Sequence, residues 1–460
     1  MTVLLALQSA AERLGAARAG LHTPFPQRLM GVVGMATMLG IAWLLSTDRR
    51  RINWRLVGTG VTLQVVFGTL VLKTGVGRAL FNAANVAFTK LLGYTEEGAR
   101  FLFGNLVANN VPVGQPLGTP AASATLGQPT AWAATGAYFA FDVLPTIIFF
   151  SSLMSVLYYL GVMQWIVRGI AWVMQRSMGT SGAETLSVAG NIFVGQTEAP
   201  LLIKPFVGQM TYSELNTVMV GGFATIAGGV MAAYVGMLSP YFPGIAGHLL
   251  TASVMNAPAG LAISKVLVPE LAEPVTKGSV KLHVPRNEAN VIDAAAAGAA
   301  QGLQLALNVG AMLLAFIALI ALLNGGVGLV GGVFGRPDLT LQIVLGWLLS
   351  PLAWLMGVPW ADATTVGSLV GVKTIINEFV AYLQLGGMLQ AGAPISPRAT
   401  IIATYALLGF ANLSSIAMQI GGIGGLAPER RGDLSRLGLR AMIGGNLAAL
   451  MSASLAGMLL

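Results

Sequence analysis

Two short segments place chemistry-bearing side chains inside an otherwise apolar chain. Gly190-Asn191-Ile192-Phe193-Val194-Gly195-Gln196-Thr197-Glu198-Ala199-Pro200 holds an amide, a second amide, a hydroxyl and a carboxylate within eight residues. The distant pair Asn377-Glu378 repeats an amide beside a carboxylate. Glycine and proline interrupt the first segment, which suits a bent or re-entrant backbone better than one straight helix. A carboxylate at membrane depth costs roughly 2.5–3.5 kcal/mol on insertion scales. Such a group is tolerated where it meets a partner, an ion or a water-filled cavity, so both segments are candidate ligand sites.

The membrane setting follows from composition. The chain has 460 residues, 55% hydrophobic and 9% charged, with mean hydropathy +0.75; soluble domains carry about 25% charged residues. Fifty-nine glycines suit close helix packing and broken helices. The absence of cysteine excludes disulfides and thiolate metal sites, and the three histidines, His22, His248 and His283, are far apart, the latter two read as loop residues. The net charge of +8 collects in short inter-helix loops, as the positive-inside rule requires, and does not call for nucleic acid. In residues 1–20 the apolar run precedes Arg13 and Arg18, the reverse of a signal peptide, so an uncleaved N-terminal extension over residues 1–27, outside or interfacial, is expected.

The elements that position the two segments are spans. Apolar stretches predict eight of them, at about 29–46, 56–72, 140–162, 215–239, 245–268, around 311–323, 399–420 and 442–459. Residues 73–130 read as an interfacial amphipathic helix and a loop. Basic loops at 48–55, 165–176 and 429–440 all fall inside only if both polar segments are re-entrant, which puts both termini outside. The predicted fold is an all-α polytopic membrane protein with about eight transmembrane helices, two re-entrant helical hairpins of opposite orientation and an interfacial helix. The hairpins span about Thr185–Phe206 and Thr364–Leu385.

The two hairpins belong to an inverted repeat. Each is followed by a helix interrupted by small and polar residues, Gly221–Gly229 in the first and Gly409–Ser415 in the second. Asn412 and Ser415 share a helical face, and unwinding near Gly409 would bring Phe410 to the same cavity. Adjacent Thr225 and Ile226 can turn their oxygens to one point only where the helix opens, and freed carbonyls suit a hard cation. Inverted repeats of broken helices are the architecture of secondary transporters.

These segments resemble the two signature hairpins of the concentrative nucleoside transporter family. Gly371–Tyr382, Gly409–Ile416 and Leu144–Phe150 also match it, from about Arg28 to the C-terminus. The resemblance implies a symporter importing nucleosides across the bacterial cytoplasmic (inner) membrane as a homotrimer, driven by sodium, with proton coupling as the alternative. It implies scaffold helices 1–3 with the interfacial helix over 28–165, a first transport repeat over 166–300, scaffold helix 6 over 301–338 and a second transport repeat over 339–460. Gln196, Thr197 and Glu198 would meet the nucleobase, Val230 and Phe410 would line its pocket, and Glu378, Asn412 and Ser415 would bind the ribose. Asn191, Val194, Thr225 and Ile226 would hold the sodium ion, the coupling ion, and no organic cofactor is implied. Gly195 falls at a position tied to base preference. Vicinal ribose hydroxyls donate well to a carboxylate. A neutral nucleoside needs no arginine clamp, and neither hairpin has one; Lys204 and Lys373 are the nearest cations.

Other readings are weaker. The polar residues could stitch helices together at about 0.6 kcal/mol each, but their clustering on two related hairpins speaks against that. Glu198 and Glu378 could be buried partners of Lys204 or Lys373. An intramembrane enzyme would need a nucleophile or metal motif, and neither HExxH nor GxSxG is present. Hairpins opening from opposite faces fit alternating access better than a passive pore.

Overall fold

Apolar length sets the spans and small polar caps set where they start. The computed structural model describes residues 23–108, 110–113, 131–134, 139–278 and 288–460. The N-terminal extension up to residue 22 and His283 lie outside them. The first helices among the described residues are α1 (Phe25–Leu44) and α2 (Trp54–Lys73), the latter capped by Asn53, which accepts from Leu56 N–H at 3.2 Å. The helix α3 (Gly75–Phe103) is the expected amphipathic element, and β1 (Asn110–Val113), in the stretch read as loop, pairs antiparallel with β2 (Ala131–Ala134) just beyond it.

Two copies of one order of elements follow. The first is α4 (Leu144–Tyr159), α5 (Val162–Met178), α6 (Gly182–Gly190), a 3₁₀ arm (Ala199–Gln209), α7 (Tyr212–Ala224), α8 (Gly228–Leu238) and α9 (Ile245–Leu267). The second is α10 (Val291–Val333), α11 (Leu341–Leu355), α12 (Trp360–Ile375), α13 (Glu378–Gln390), α14 (Pro397–Leu407), α15 (Leu413–Leu426) and α16 (Arg431–Leu459). Each copy contains a span, a lateral helix, a two-armed hairpin, a broken span and a closing span. Three crossings per copy is an odd number, so the second copy enters from the opposite face and the repeat is inverted.

Among the described residues seven helices, with the broken pair α7–α8 taken as one, have the length and hydropathy of a span. The eighth is the broken helix α14–α15, interrupted at 408–412. The apolar neighbours α11 and α12 meet at 117° and are not one span. The 9 residues of α6 and the 13 of α13 reach about 14 and 20 Å at 1.5 Å per residue, short of a hydrocarbon core of about 30 Å. Neither arm crosses, and in each hairpin the two arms pack on one another, α6 on the 3₁₀ arm and α12 on α13.

Several boundaries differ from the sequence reading. The stretch 165–176 is not a loop but the amphipathic helix α5, which buries Met163, Val167, Ala171, Met174 and Met178 and turns Trp165, Arg168, Trp172 and Arg176 outward. That pattern belongs to a helix lying at a membrane interface. Residues 431–440 form the start of α16, and the span centred on 311–323 is part of the 43-residue helix α10. His248 is not a loop residue: it lies in α9, buried, with its Nδ1 3.2 Å from the Tyr405 hydroxyl. The first helix α1 lies along α16 and α2 along α9, and α4 packs along α10.

The feet of both hairpins are fastened to the broken helices by a serine hydroxyl and a carboxylate. Ser181, the cap of α6, donates to Glu214 in the first turn of α7 at 2.5 Å. Ser396, the cap of α14, donates to Asp362 in the first turn of α12 at 2.5 Å. Beside the first foot, buried Lys265 reaches Glu184 at 2.8 Å and Glu270 at 3.0 Å. Removing one partner of a buried ion pair costs about 3–5 kcal/mol, because the other charge stays behind. Lys265→Met is therefore expected to lower the unfolding temperature in detergent by several degrees. Lys277→Met, which breaks only an exposed i,i+4 pair with Glu273, should cost under about 1 kcal/mol and leave it unmoved.

Candidate functional site

The two broken helices cross at their breaks. Gly409 has φ +109°, and a Cβ there would sit 2.5 Å from the Phe223 carbonyl oxygen. The next residue, Phe410, donates its N–H to the Thr225 carbonyl at 3.4 Å. Two glycine-assisted unwound stretches, 225–227 and 408–412, thus touch backbone to backbone, as the expected unwinding near Gly409 requires. Each is braced by an asparagine of the closing span: Asn256 of α9 donates to Ala224 O at 2.7 Å, and Asn446 of α16 to Ala411 O at 2.9 Å.

Glu378 is the polar centre of this crossing. It is the first residue of α13, whose cap Asn377 accepts from Val380 N–H at 2.9 Å. One carboxylate oxygen accepts from Asn412 Nδ2 at 2.9 Å and the other from the Tyr234 hydroxyl at 3.1 Å. Asn412 is itself the cap of α15, accepting from Ser415 N–H at 2.9 Å. The carboxylate therefore sits where the N-terminal ends of α13 and α15 converge, and both helix dipoles favour its charge. Glu378, Asn412 and Ser415 are all buried. Val230 lies one turn before Tyr234 on α8, also buried, and Phe410 is half-buried in the break.

The tip of the first hairpin approaches the same helix further along. Gln196 Oε1 accepts from Gln419 Nε2 at 3.0 Å, and Gln419 also donates to Met219 O at 3.1 Å. Asn412 and Gln419 are seven residues apart, about 10 Å of rise along α15. The structure thus sets Gln196 and Glu378 against one helix, at two heights. Thr197 donates to Glu198 at 3.4 Å, and the Glu198 carboxylate folds back over Gly195, where any Cβ would strike it. Glu198 is exposed and Thr197 half-buried.

A second cluster of oxygens lies where this tip meets the break of α7–α8. Gly228 N–H donates to Phe193 O at 2.9 Å and Ser253 Oγ to Ile192 O at 3.2 Å, which fixes 192–193 against 225–228. Asn191 is buried, and neither its Oδ1 nor its Nδ2 has a hydrogen-bond partner among the described residues. A buried amide without partners asks for an explanation such as an ion or water. Thr225 spends its hydroxyl proton on Gly221 O at 2.9 Å, leaving the oxygen lone pairs free to face a cation. Among the described residues no donor reaches the carbonyls of Val194 or Ile226. Neutral oxygens without a carboxylate suit a hard monovalent cation, and among the described residues no group of three or more histidines and acids could hold another metal.

Three family models together span most of the chain. The Na+ dependent nucleoside transporter N-terminus matches residues 33–106, the nucleoside recognition "Gate" model 140–241 and the Na+ dependent nucleoside transporter C-terminus 248–457. An uncharacterized transporter of Haemophilus influenzae is 44% identical over 94% of this chain and 97% of its own. Sodium/nucleoside cotransporter 1 of Mus musculus is 41% identical over 94% of this chain, which spans 64% of that longer relative. The structure of CNTnw in an inward-facing substrate-bound state has a TM-score of 0.81 at 47% identity, covering 94% of this chain and 97% of that one. A variant of CNTnw in an outward-facing state gives a TM-score of 0.82. The chain belongs to the concentrative nucleoside transporter family. It is a multi-pass membrane protein of a transporter family, not an enzyme family.

Placed in that family, the site contains residues the sequence reading passed over. Tyr234 and Gln419 bond the predicted ligands Glu378 and Gln196. Both carried a signal: Tyr234 is i+4 from Val230 and Gln419 is i+4 from Ser415, each on the face of a predicted site residue. Lys373 is not paired with Glu378 by a direct ion pair, since its Nζ donates to Ala406 O at 3.2 Å. Asn377 serves as a helix cap.

Proposed function

We propose that the protein imports nucleosides by sodium-coupled symport. The observation that carries this reading is the Glu378 carboxylate, buried at the crossing of two broken helices and oriented by Tyr234 and Asn412. Each of its oxygens keeps a lone pair beyond those two bonds, so it can accept from vicinal hydroxyls, and charge-assisted bonds of this kind are strong. Glu378, Asn412 and Ser415 take the ribose; Gln196, Thr197 and Glu198 take the base, with Val230 and Phe410 against its apolar faces. The two sets stand about 10 Å apart along α15, room for a base and a sugar end to end.

Asn191, the Val194 carbonyl, Thr225 and the Ile226 carbonyl hold the sodium ion. The orphaned Asn191 amide supports this. The ion and the base-binding residues share the segment 191–198, so cation binding orders the residues that grip the base. One inward charge across 100 mV supplies about 2.3 kcal/mol, roughly 40-fold accumulation of a neutral solute. The moving body comprises both hairpins, α7–α9 and α14–α16, together with α1 and α2, which pack on it. The pair α4–α10, with the apolar groove of about 450 Å³ that they form with α3, is the static frame and the face for a homotrimer in the bacterial inner membrane.

Radiolabelled uridine uptake into proteoliposomes, with sodium and pH gradients imposed separately, tests this. Uptake driven by sodium alone is expected; uptake driven only by protons would replace sodium with the proton, and none under either gradient would end the symport reading. Thr225→Ala removes one cation-facing oxygen, worth about 1.5–3 kcal/mol for a charged partner, so the sodium concentration for half-maximal uptake should rise about 10- to 100-fold. A change in uridine affinity at saturating sodium, with no change in sodium dependence, would show the ion assignment to be wrong.

A further inference from the structure

One end of the helix bundle carries an apolar groove and a charge cluster that neither hairpin uses. The helix α1 leans on α16 and α2 on α9, and between them the two leave a groove of about 350 Å³. Ala36, Leu39, Gly40 and Trp43 of α1 and Trp54 of α2 line it. The small residues Ala36 and Gly40 leave room along its wall. Both tryptophans are exposed at helix ends, where tryptophan marks the headgroup level of a bilayer.

The loop that joins the two helices closes this end of the groove and is strongly basic. Residues 48–55 carry Arg49, Arg50, Arg51 and Arg55 against a single acid, Asp48. Asp48 accepts from the Arg50 backbone N–H at 3.1 Å, and among the described residues no carboxylate lies within ion-pair distance of any of the four guanidinium groups. Arg49 donates to Trp43 O at 3.2 Å and to Leu44 O at 2.6 Å, with its guanidinium 4.9 Å from the centre of the Trp43 ring, so one cation stands at the lip of the groove. Arg55 follows Trp54 directly, in the first turn of α2, where the helix dipole disfavours a cation and no acid offsets it. The loop is anchored: Thr47 N–H donates to Leu267 O at 2.9 Å, and Ile52 is buried. The protein thus gathers like charges and the positive end of a helix beside an apolar groove, and supplies no counter-charge.

We propose that this is a binding site for an anionic phospholipid, with an acyl chain in the groove and the phosphate held by Arg50, Arg51, Arg55 and the N-terminal end of α2. The positive-inside rule accounts for arginines in such a loop, but not for an apolar groove opening beneath them. A basic pocket between spans recognises an anionic headgroup, and a helix N-terminus adds backbone donors aimed at phosphate. A zwitterionic lipid would bring its own cation against the arginines. A soluble anion would satisfy the charges and leave the groove unfilled, so an anionic lipid is the occupant that matches both parts.

The whole protein in mixed micelles with equal phosphatidylglycerol and phosphatidylcholine provides the test, read by native mass spectrometry and by unfolding temperature. The wild type should retain phosphatidylglycerol in preference, and that lipid should raise the unfolding temperature where phosphatidylcholine does not. At about fivefold per arginine, the triple variant Arg50→Gln, Arg51→Gln, Arg55→Gln should bind phosphatidylglycerol about 100-fold more weakly and retain one molecule fewer per chain. Gly40→Leu keeps every charge but fills the groove. Nothing lies within 4 Å of the Gly40 Cβ position and leucine suits a helix, so the fold should accept it while the same lipid is lost. Retention indifferent to headgroup overturns the proposal. So does retention unchanged in the triple variant, which would put the lipid elsewhere, or unchanged in Gly40→Leu, which would leave charge attraction without a groove. Inorganic phosphate that stabilises the protein as well as the lipid does would reduce the site to one for a plain anion. Should the triple variant fail to fold, Gly40→Leu and the wild-type choice of headgroup decide.

Discussion

Glu378→Gln is expected to reduce uridine uptake at least 100-fold while leaving the fold intact. The substitution is isosteric, and the hydrogen bonds of the site allow only one orientation of the new amide. Asn412 must keep donating from Nδ2, because its Oδ1 is held by Ser415 N–H at 2.9 Å and Ser414 Oγ at 2.7 Å. The Gln oxygen therefore turns to Asn412 and its NH₂ to Tyr234, whose hydroxyl can reverse from donor to acceptor. The protein loses a charge but no internal partner, so its elution and unfolding temperature in detergent should match the wild type. What is lost is a charge-assisted acceptor for two hydroxyls, each bond worth about 1.5–3 kcal/mol; two of them correspond to 100-fold or more. The amide group facing Tyr234 also offers a donor where the proposed ribose contact needs an acceptor. Wild-type uptake by this variant would remove Glu378 from the sugar site. The same loss with a lowered unfolding temperature would instead make it a structural residue.

What could be read from the sequence was what burial makes expensive. Amides and carboxylates in a chain with 9% charge stand out because each needs a partner, and glycine clusters at 221–229 and 409 mark backbone that cannot continue as regular helix. That sufficed for the hairpins, the two breaks and the inverted order. Helix limits set by weak signals were not legible. The 43-residue α10 closes in a glycine-rich tract that resembles a helix end, and the outward arginines of α5 imitate a basic loop. Partners supplied by crossing helices were hidden for a different reason. Tyr234 and Gln419 are ordinary residues on their own helices, and only the three-dimensional crossing gives each its partner. His248 likewise looks like a loop residue until α9 is seen to bury it beside Tyr405.

The crossing itself depends on one residue more than on any other. Gly409→Ala should cost the protein its transport activity and much of its stability. At φ +109° an L-residue is strained by about 1–3 kcal/mol. The added Cβ would also lie 2.5 Å from the Phe223 carbonyl oxygen and 2.9 Å from the Ala224 carbonyl, where the obstacle is backbone and cannot rotate aside. Overpacking of that kind adds about 1–3 kcal/mol. Relief requires the two broken helices to separate at the point where Phe410 N–H meets Thr225 O, and that single displacement moves Thr225, proposed above to face the cation, and Asn412, the partner of Glu378, away from their neighbours. Both halves of the site should therefore fail together: weaker sodium dependence, weaker nucleoside binding and a lower unfolding temperature, each measurable on the purified protein. Gly421→Ala on α15 is the matched comparison, since nothing lies within 4 Å of its Cβ position, and it should transport as the wild type does. If Gly409→Ala lowers stability but leaves sodium dependence and nucleoside affinity untouched, the breaks are not mechanically joined, and the idea that one backbone contact links the two sites fails.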